Sequence, residues 1–155
     1  MIAPVPENEE ARLKAVAAFR ALDVDTAGAY DDFTKIASYI AQVPIALITL
    51  IDKDTQIFKS KVGMEGEQNS RDNSFCAHAI LDPYNMTKVE DATKDLRFAD
   101  NPLVTDDLRV RFYCGVPLVT EDDFALGTLC VIDKRPRILS KEQEEALQAL
   151  ARRIM

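Results

Sequence analysis

From Phe33 to Ala41 the apolar residues Phe33, Ile36, Ala37, Ile40 and Ala41 recur at i, i+3, i+4, i+7 and i+8, which places them along one stripe of an α-helix. Pro44 stops that helix, because proline has no N–H to donate and its ring collides with the preceding turn. The next stretch, Ile45 to Ile51, is β-branched and leucine-rich without alternation, so it predicts a strand covered on both faces and central in its sheet. Lys53-Asp54 has the polarity of a tight turn into Gln56 to Val62, the hairpin partner, which Gly63 ends. Met64 to Arg71 is polar and acidic, contains Gly66, and reads as a mobile loop.

Upstream, Pro6 and the acids that follow suit a first helical turn ahead of Leu13, Val16 and Phe19, giving a helix from about Asn8 to Leu22 and a break from Asp23 to Gly28. Downstream, Ser74 is an N-cap for a short helix from Phe75 to Leu81, closed by Asp82-Pro83, and a strand follows over Met86 to Glu90. Asp91 to Leu108 has no sustained period, and connections of that length are often functional. In the next strand Val110, Phe112, Cys114, Val116 and Leu118 face the core, while Arg109, Arg111, Tyr113, Gly115 and Pro117 form the other, polar-bearing face. Pro117 marks an edge position or a bulge. Ala125 to Ile132 supplies a further strand. Ser140 with Gln143 forms a capping box for a last helix reaching Met155, where Leu147, Leu150 and Ile154 repeat at helical spacing.

Length and composition narrow the possibilities. A chain of 155 residues makes about one domain, and its apolar and charged fractions are those of a packed globular protein. The net charge of −7, with basic residues scattered, argues against nucleic acid. No stretch approaches the roughly 20 apolar residues that span a bilayer, and Met1 to Glu10 lacks a secretory core, so a cytoplasmic location and no membrane insertion are expected. Cys76, Cys114 and Cys130 are odd in number and lie among apolar or small residues, the pattern of reduced, buried thiols. No local pair of His or Cys anchors a metal site, and the five glycines form no phosphate loop. Asp91, Asp95 and Asp100 read as caps for backbone N–H groups rather than as an acid–base set.

The short motifs Ser74-Phe75-Cys76-Ala77-His78-Ala79, Glu90-Asp91-Ala92, Arg97-Phe98-Ala99-Asp100-Asn101-Pro102-Leu103-Val104, Arg111-Phe112-Tyr113-Cys114-Gly115-Val116-Pro117-Leu118 and Leu126-Gly127-Thr128-Leu129-Cys130-Val131-Ile132-Asp133 run in series between Asn73 and Arg137. In this order they resemble the GAF domains that open multidomain bacterial signalling proteins such as histidine kinases and diguanylate cyclases. The resemblance implies an α+β, GAF/PAS-like fold: a central antiparallel sheet of about five to six strands packed by N- and C-terminal helices. It also implies a sensory or regulatory module, not an enzyme, that binds a small molecule or relays a signal through a homodimer to a covalently attached output domain. A ligand-free dimerisation scaffold is the alternative. On this reading residues 1–155 are one domain excised from, or followed by, a longer protein. The helix over 140–155 either continues as a parallel relay with Leu147, Leu150 and Ile154 on its seam or packs on its own sheet.

By the same resemblance a ligand pocket lies between the sheet and the segments from Asn73 to Tyr113, drawing on Phe58, Phe75, Cys76, His78, Asp91, Arg97, Arg111, Tyr113 and Thr128. Arg111 and Tyr113 either hold an anionic or planar ligand or are exposed sheet residues. His78 either titrates, stacks or ligates, or packs within its helix. The sequence names no ligand and no cofactor. Sharper chemistries fit poorly: the place of a bilin-attaching cysteine holds Val104-Thr105, a cyclic-nucleotide signature is present only in fragments such as Lys94, Phe98 and Asp100, and the motifs around the cysteines do not match a GAF-type free methionine sulfoxide reductase.

Overall fold

A computed structural model describes residues 1–22 and 28–155 of the chain. Most of the break expected from Asp23 to Gly28 therefore falls outside the described residues. The elements run α1 Glu9–Leu22, α2 Ala29–Ala41, β1 Ile45–Ile51, β2 Thr55–Val62, β3 Gln68–Ser70, α3 Cys76–Ala79, β4 Thr87–Val89, α4 Pro102–Thr105, β5 Phe112–Val119, β6 Ala125–Asp133 and α5 Lys141–Ile154. All strand pairs are antiparallel, in the order β3-β2-β1-β6-β5-β4, which is the α+β sheet-and-helix arrangement expected. No helix among the described residues is long and apolar enough to cross a membrane.

Every residue of β1 and β6 is buried, because both faces of the sheet are covered at its centre. On one face α2 and α5 bring Ala37, Ala41, Leu147, Ala151 and Ile154 against Ala46, Ile48, Leu129, Val131 and the even-numbered residues of β5. On the other, α3 and the segment from Ala92 to Val110 bring Phe75, Cys76, Ile80, Phe98 and Val104 against Leu47, Tyr113, Cys130 and Ile132. The predicted capping box of α5 is present, with Ser140 Oγ accepting the Gln143 N–H at 3.1 Å and Gln143 Oε1 accepting the Ser140 N–H at 2.8 Å. Leu147 and Ile154 of α5 pack on the chain's own sheet.

Three expectations need correction. The polar-bearing face of β5 is a second core: seven of its eight residues are buried, since the Ala92 to Val110 segment folds back over Tyr113. The stretch from Met64 to Arg71 is not loop throughout, because Gln68–Ser70 adds a three-residue edge strand to β2, too short and too polar to show alternation. The helix at Phe75 to Leu81 is only Cys76–Ala79, although Ser74 Oγ does accept the Ala77 N–H at 3.2 Å as a cap does. Pro117 sits on β5 beyond the residues that β4 reaches, where the strand is locally an edge and lacks a need for its N–H.

α1 is held to the β1–β2 turn by charge. Glu9 accepts from Arg12 and Arg71 at 2.7 Å each, and Arg71 also donates to the Asp52 carbonyl at 2.9 Å. Burial alone would raise the Glu9 carboxyl, but the hydrogen bonds and charges of the two guanidinium groups bring it down to about 2. A carboxyl depressed in the folded state stabilises above its unfolded value near 4.5 and loses that contribution as pH falls toward 2. We expect urea unfolding between those pH values to lose about 1–2 kcal/mol through this group, screening by solvent included, and Glu9→Gln to flatten that dependence. An unchanged slope in Glu9→Gln would remove the clamp from the account.

Candidate functional site

α3 starts directly beneath β5 and β6, so its first residue, Cys76, points its sulfur at the centre of the second core. Tyr113 Oη and Thr128 Oγ1 each donate to Cys76 Sγ at 3.1 Å. Thr128 faces Thr49 across the β6–β1 ladder, with the two hydroxyls 3.2 Å apart. Thr128 has a single hydroxyl proton and gives it to the sulfur, so Thr49 is the donor between them; Thr49 Oγ1 in turn accepts the Thr128 N–H at 3.2 Å. Cys130, from the next inward position on β6, places its sulfur 3.9 Å from that of Cys76. Cys76, Tyr113, Thr128, Thr49 and Cys130 are all essentially without solvent contact.

The electrostatics follow from that geometry. Burial pushes the Cys76 thiol up, but donation from Cys130, Thr128 and Tyr113 outweighs it and brings the pKa down to about 7. Cys130 moves well above the ordinary range, first through its hydrogen bond with Cys76 and then through burial. Burial, then the neighbouring cysteine charge, also raises the Tyr113 phenol, which stays protonated and able to donate. Cys114, on the opposite face of the sheet, is pushed up to about 12 by burial.

Aromatic rings fill the space around this cluster. Phe75 and Phe98 stack with centroids 4.0 Å apart and planes within 9°, and Tyr113 leans on Phe75 at 5.2 Å. His78 meets Phe98 edge-on at 4.7 Å. Its Nε2 lies 3.0 Å from the Met1 carbonyl, which only accepts, so Nε2 carries the proton; burial lowers the pKa of this ring, which favours the neutral form. Arg97 lies over the outer face of Phe98 at 5.0 Å while forking onto Asp95 at 3.0 and 2.8 Å. What remains is a cavity of about 20 Å³ bordered by Phe58, Met64, Phe75, Cys76, Leu103 and Tyr113. That volume holds one water-sized molecule.

The structure thus brings Phe58, Phe75, Cys76, Tyr113 and Thr128 together, with His78 and Arg97 at the rim through Phe98. Arg111 is elsewhere in role: its Nη1 donates to the Val104 and Val110 carbonyls at 3.0 and 3.1 Å, tying α4 to the start of β5. Asp91 caps the 3₁₀ turn Ala92–Lys94, accepting from Thr93 N at 3.0 Å, on the border of an open surface groove. Asp95 likewise accepts the Arg97 N–H at 3.0 Å, whereas Asp100 pairs with the Met1 amine at 2.8 Å instead of capping. Thr49, Phe98 and Cys130 complete the cluster without having been singled out as site residues. Thr49 had a visible signal, as the one polar side chain in Ile45 to Ile51.

Comparison with known proteins places this geometry in context. A family model described as GAF domain matches residues 11–155. A cyclic di-GMP phosphodiesterase of Pseudomonas aeruginosa is 40% identical over 153 residues, which is 98% of this chain and 26% of that protein. The chain therefore spans about a quarter of that relative's length. Among solved structures, the GAF domain of an Acinetobacter phosphoenolpyruvate-protein phosphotransferase superposes with a TM-score of 0.66 at 18% identity, over 94% of this chain and 89% of that one. The chromophore-binding domain of a Stigmatella aurantiaca phytochrome gives 0.65 at 10% identity, over 94% and 58%. At such identities these two likenesses speak to fold alone.

The donor arrangement predicts its own titration. In the folded protein a thiolate absorbance should appear with a midpoint near 7, and Tyr113→Phe should move it up by about 1–2 pH units, the worth of one hydrogen bond to a charged acceptor. A midpoint indifferent to Tyr113→Phe would contradict the assignment.

Proposed function

The chain belongs to the GAF domain family, and from that premise we propose that it is a regulatory module with a closed interior, which holds no resident small molecule and relays a signal between its helices and an attached output domain as a homodimer. The observation that carries this reading is the filled space beneath the sheet: Phe75, Phe98 and Tyr113 leave about 20 Å³ beside Cys76, far below the ~300 Å³ of an ordinary ligand pocket. Association between copies is supported by α2, which leaves Ile36 and Tyr39 one helical turn apart and 46% and 84% exposed. The 40% identical relative is a cyclic di-GMP phosphodiesterase almost four times as long, so the output domain we propose is one of that activity, in the cytoplasm. The module itself turns over no substrate.

Native mass spectrometry of the gently purified protein, set against the denatured mass of the same sample, tests this reading. A dimer of bare chain mass is expected. A dimer carrying a reproducible non-covalent mass would replace the closed interior with a ligand sensor, and a monomer would remove the dimeric relay. Tyr39→Asp should convert the dimer to monomer without unfolding it, since that side chain supports nothing inside the fold.

A further inference from the structure

Cys76 on α3 and Cys130 on β6 are far apart in the chain, yet their sulfurs meet at 3.9 Å inside one core, and neither has any other cysteine, histidine or cation as a hydrogen-bond partner among the described contacts. A buried cysteine pair of purely packing character needs no converging donors. Here Tyr113 and Thr128 both aim hydroxyl protons at Cys76, and Thr49 orders Thr128 from behind. Such an arrangement stabilises negative charge on one sulfur of the two and leaves the other protonated. Beside the Cys76 sulfur lies the residual cavity, with room for one water-sized molecule in contact with it. Gly115 belongs to the same design: a Cβ there would lie 2.1 Å from Tyr113 Oη, so the absent side chain is what lets the phenol reach the sulfur.

We propose that Cys76 and Cys130 form a peroxide-responsive dithiol, in which Cys76 is the oxidised thiolate and Cys130 the resolving thiol. The Cys76 sulfur attacks one oxygen of hydrogen peroxide; the S–O bond forms as the O–O bond breaks, and the departing hydroxide takes up the proton that the thiol had released, leaving as water. The Cys130 sulfur then attacks the sulfenic sulfur. The S–S bond forms, the S–OH bond breaks, and the hydroxide leaves with the Cys130 proton as a second water. Two thiols and one peroxide become one disulfide and two waters, with two electrons passing from sulfur to oxygen. Closing 3.9 Å to the ~2.05 Å of a disulfide draws α3 toward β6 and ends the donation from Tyr113 and Thr128, so oxidation changes the packing of the second core. This inference stands on the core itself and is independent of the dimeric relay.

The test is to expose the folded, reduced protein to hydrogen peroxide at neutral pH, quench, unfold, alkylate and map the peptides. We expect a mass lower by two hydrogens, a Cys76–Cys130 linked peptide within one chain, and full alkylation of Cys114. In Cys130→Ser the sulfenic acid should persist on Cys76 and be captured by dimedone. Tyr113→Phe should slow the wild-type reaction about tenfold, in step with the smaller thiolate fraction. Should all three thiols alkylate fully after peroxide has oxidised the exposed Met1 and Met155, or should the linkage involve Cys114 or a second chain, the proposal is overturned. The wild-type map decides this even where a variant does not fold.

Discussion

The closeness of β1 and β6 sets the terms for everything around them. A Cβ at Gly127 would lie 1.8 Å from the Thr49 carbonyl oxygen, so the two central strands approach as they do only because that position has no side chain. With both strands buried on both faces, any polar side chain they carry must find its partner inside the protein. Thr49 and Thr128 find each other across the ladder, and one hydroxyl proton is left over. It goes to Cys76, and the position of α3, the lean of Tyr113 and the location of Cys130 are all arranged around that residual donor.

Much of the fold was legible because it follows from local rules. The unbroken run of β1 and the Ser140–Gln143 box are each written within a few residues and appear where the rules put them, and the α2 stripe does so at Phe33, Ala37, Ile40 and Ala41, while Ile36 at its margin stays exposed. β5 was harder. Its alternation shows which side chains share a face but not what covers that face, and the cover over Tyr113 comes from the aperiodic segment before it. That segment is held by caps rather than by a period: Asp91 over Thr93, Asn101 over Leu103, and Arg111 reaching back to Val104.

The same limit applies to the cluster around Cys76. Five of the nine residues named from family likeness converge, because the strands and α3 that carry them are locally determined. Asp91 and Arg111 diverge since their positions depend on how a loop caps its own turns. Cys130 read as an inert core thiol because burial is visible in a sequence pattern, whereas a 3.9 Å meeting with a residue 54 positions away is not. Neutral burial and charged burial look alike from hydropathy; only the count of donors on one sulfur separates them.

Gly115 ties two properties that are ordinarily varied independently. The phenol that closes the interior is the same phenol that donates to Cys76, and both depend on the empty space at one glycine. Any larger residue there evicts the ring, so a lineage that opened this interior for a ligand by that route would, in the same step, make the thiol more basic and less reactive. Along that path a chamber and a sensitive sulfur exclude each other.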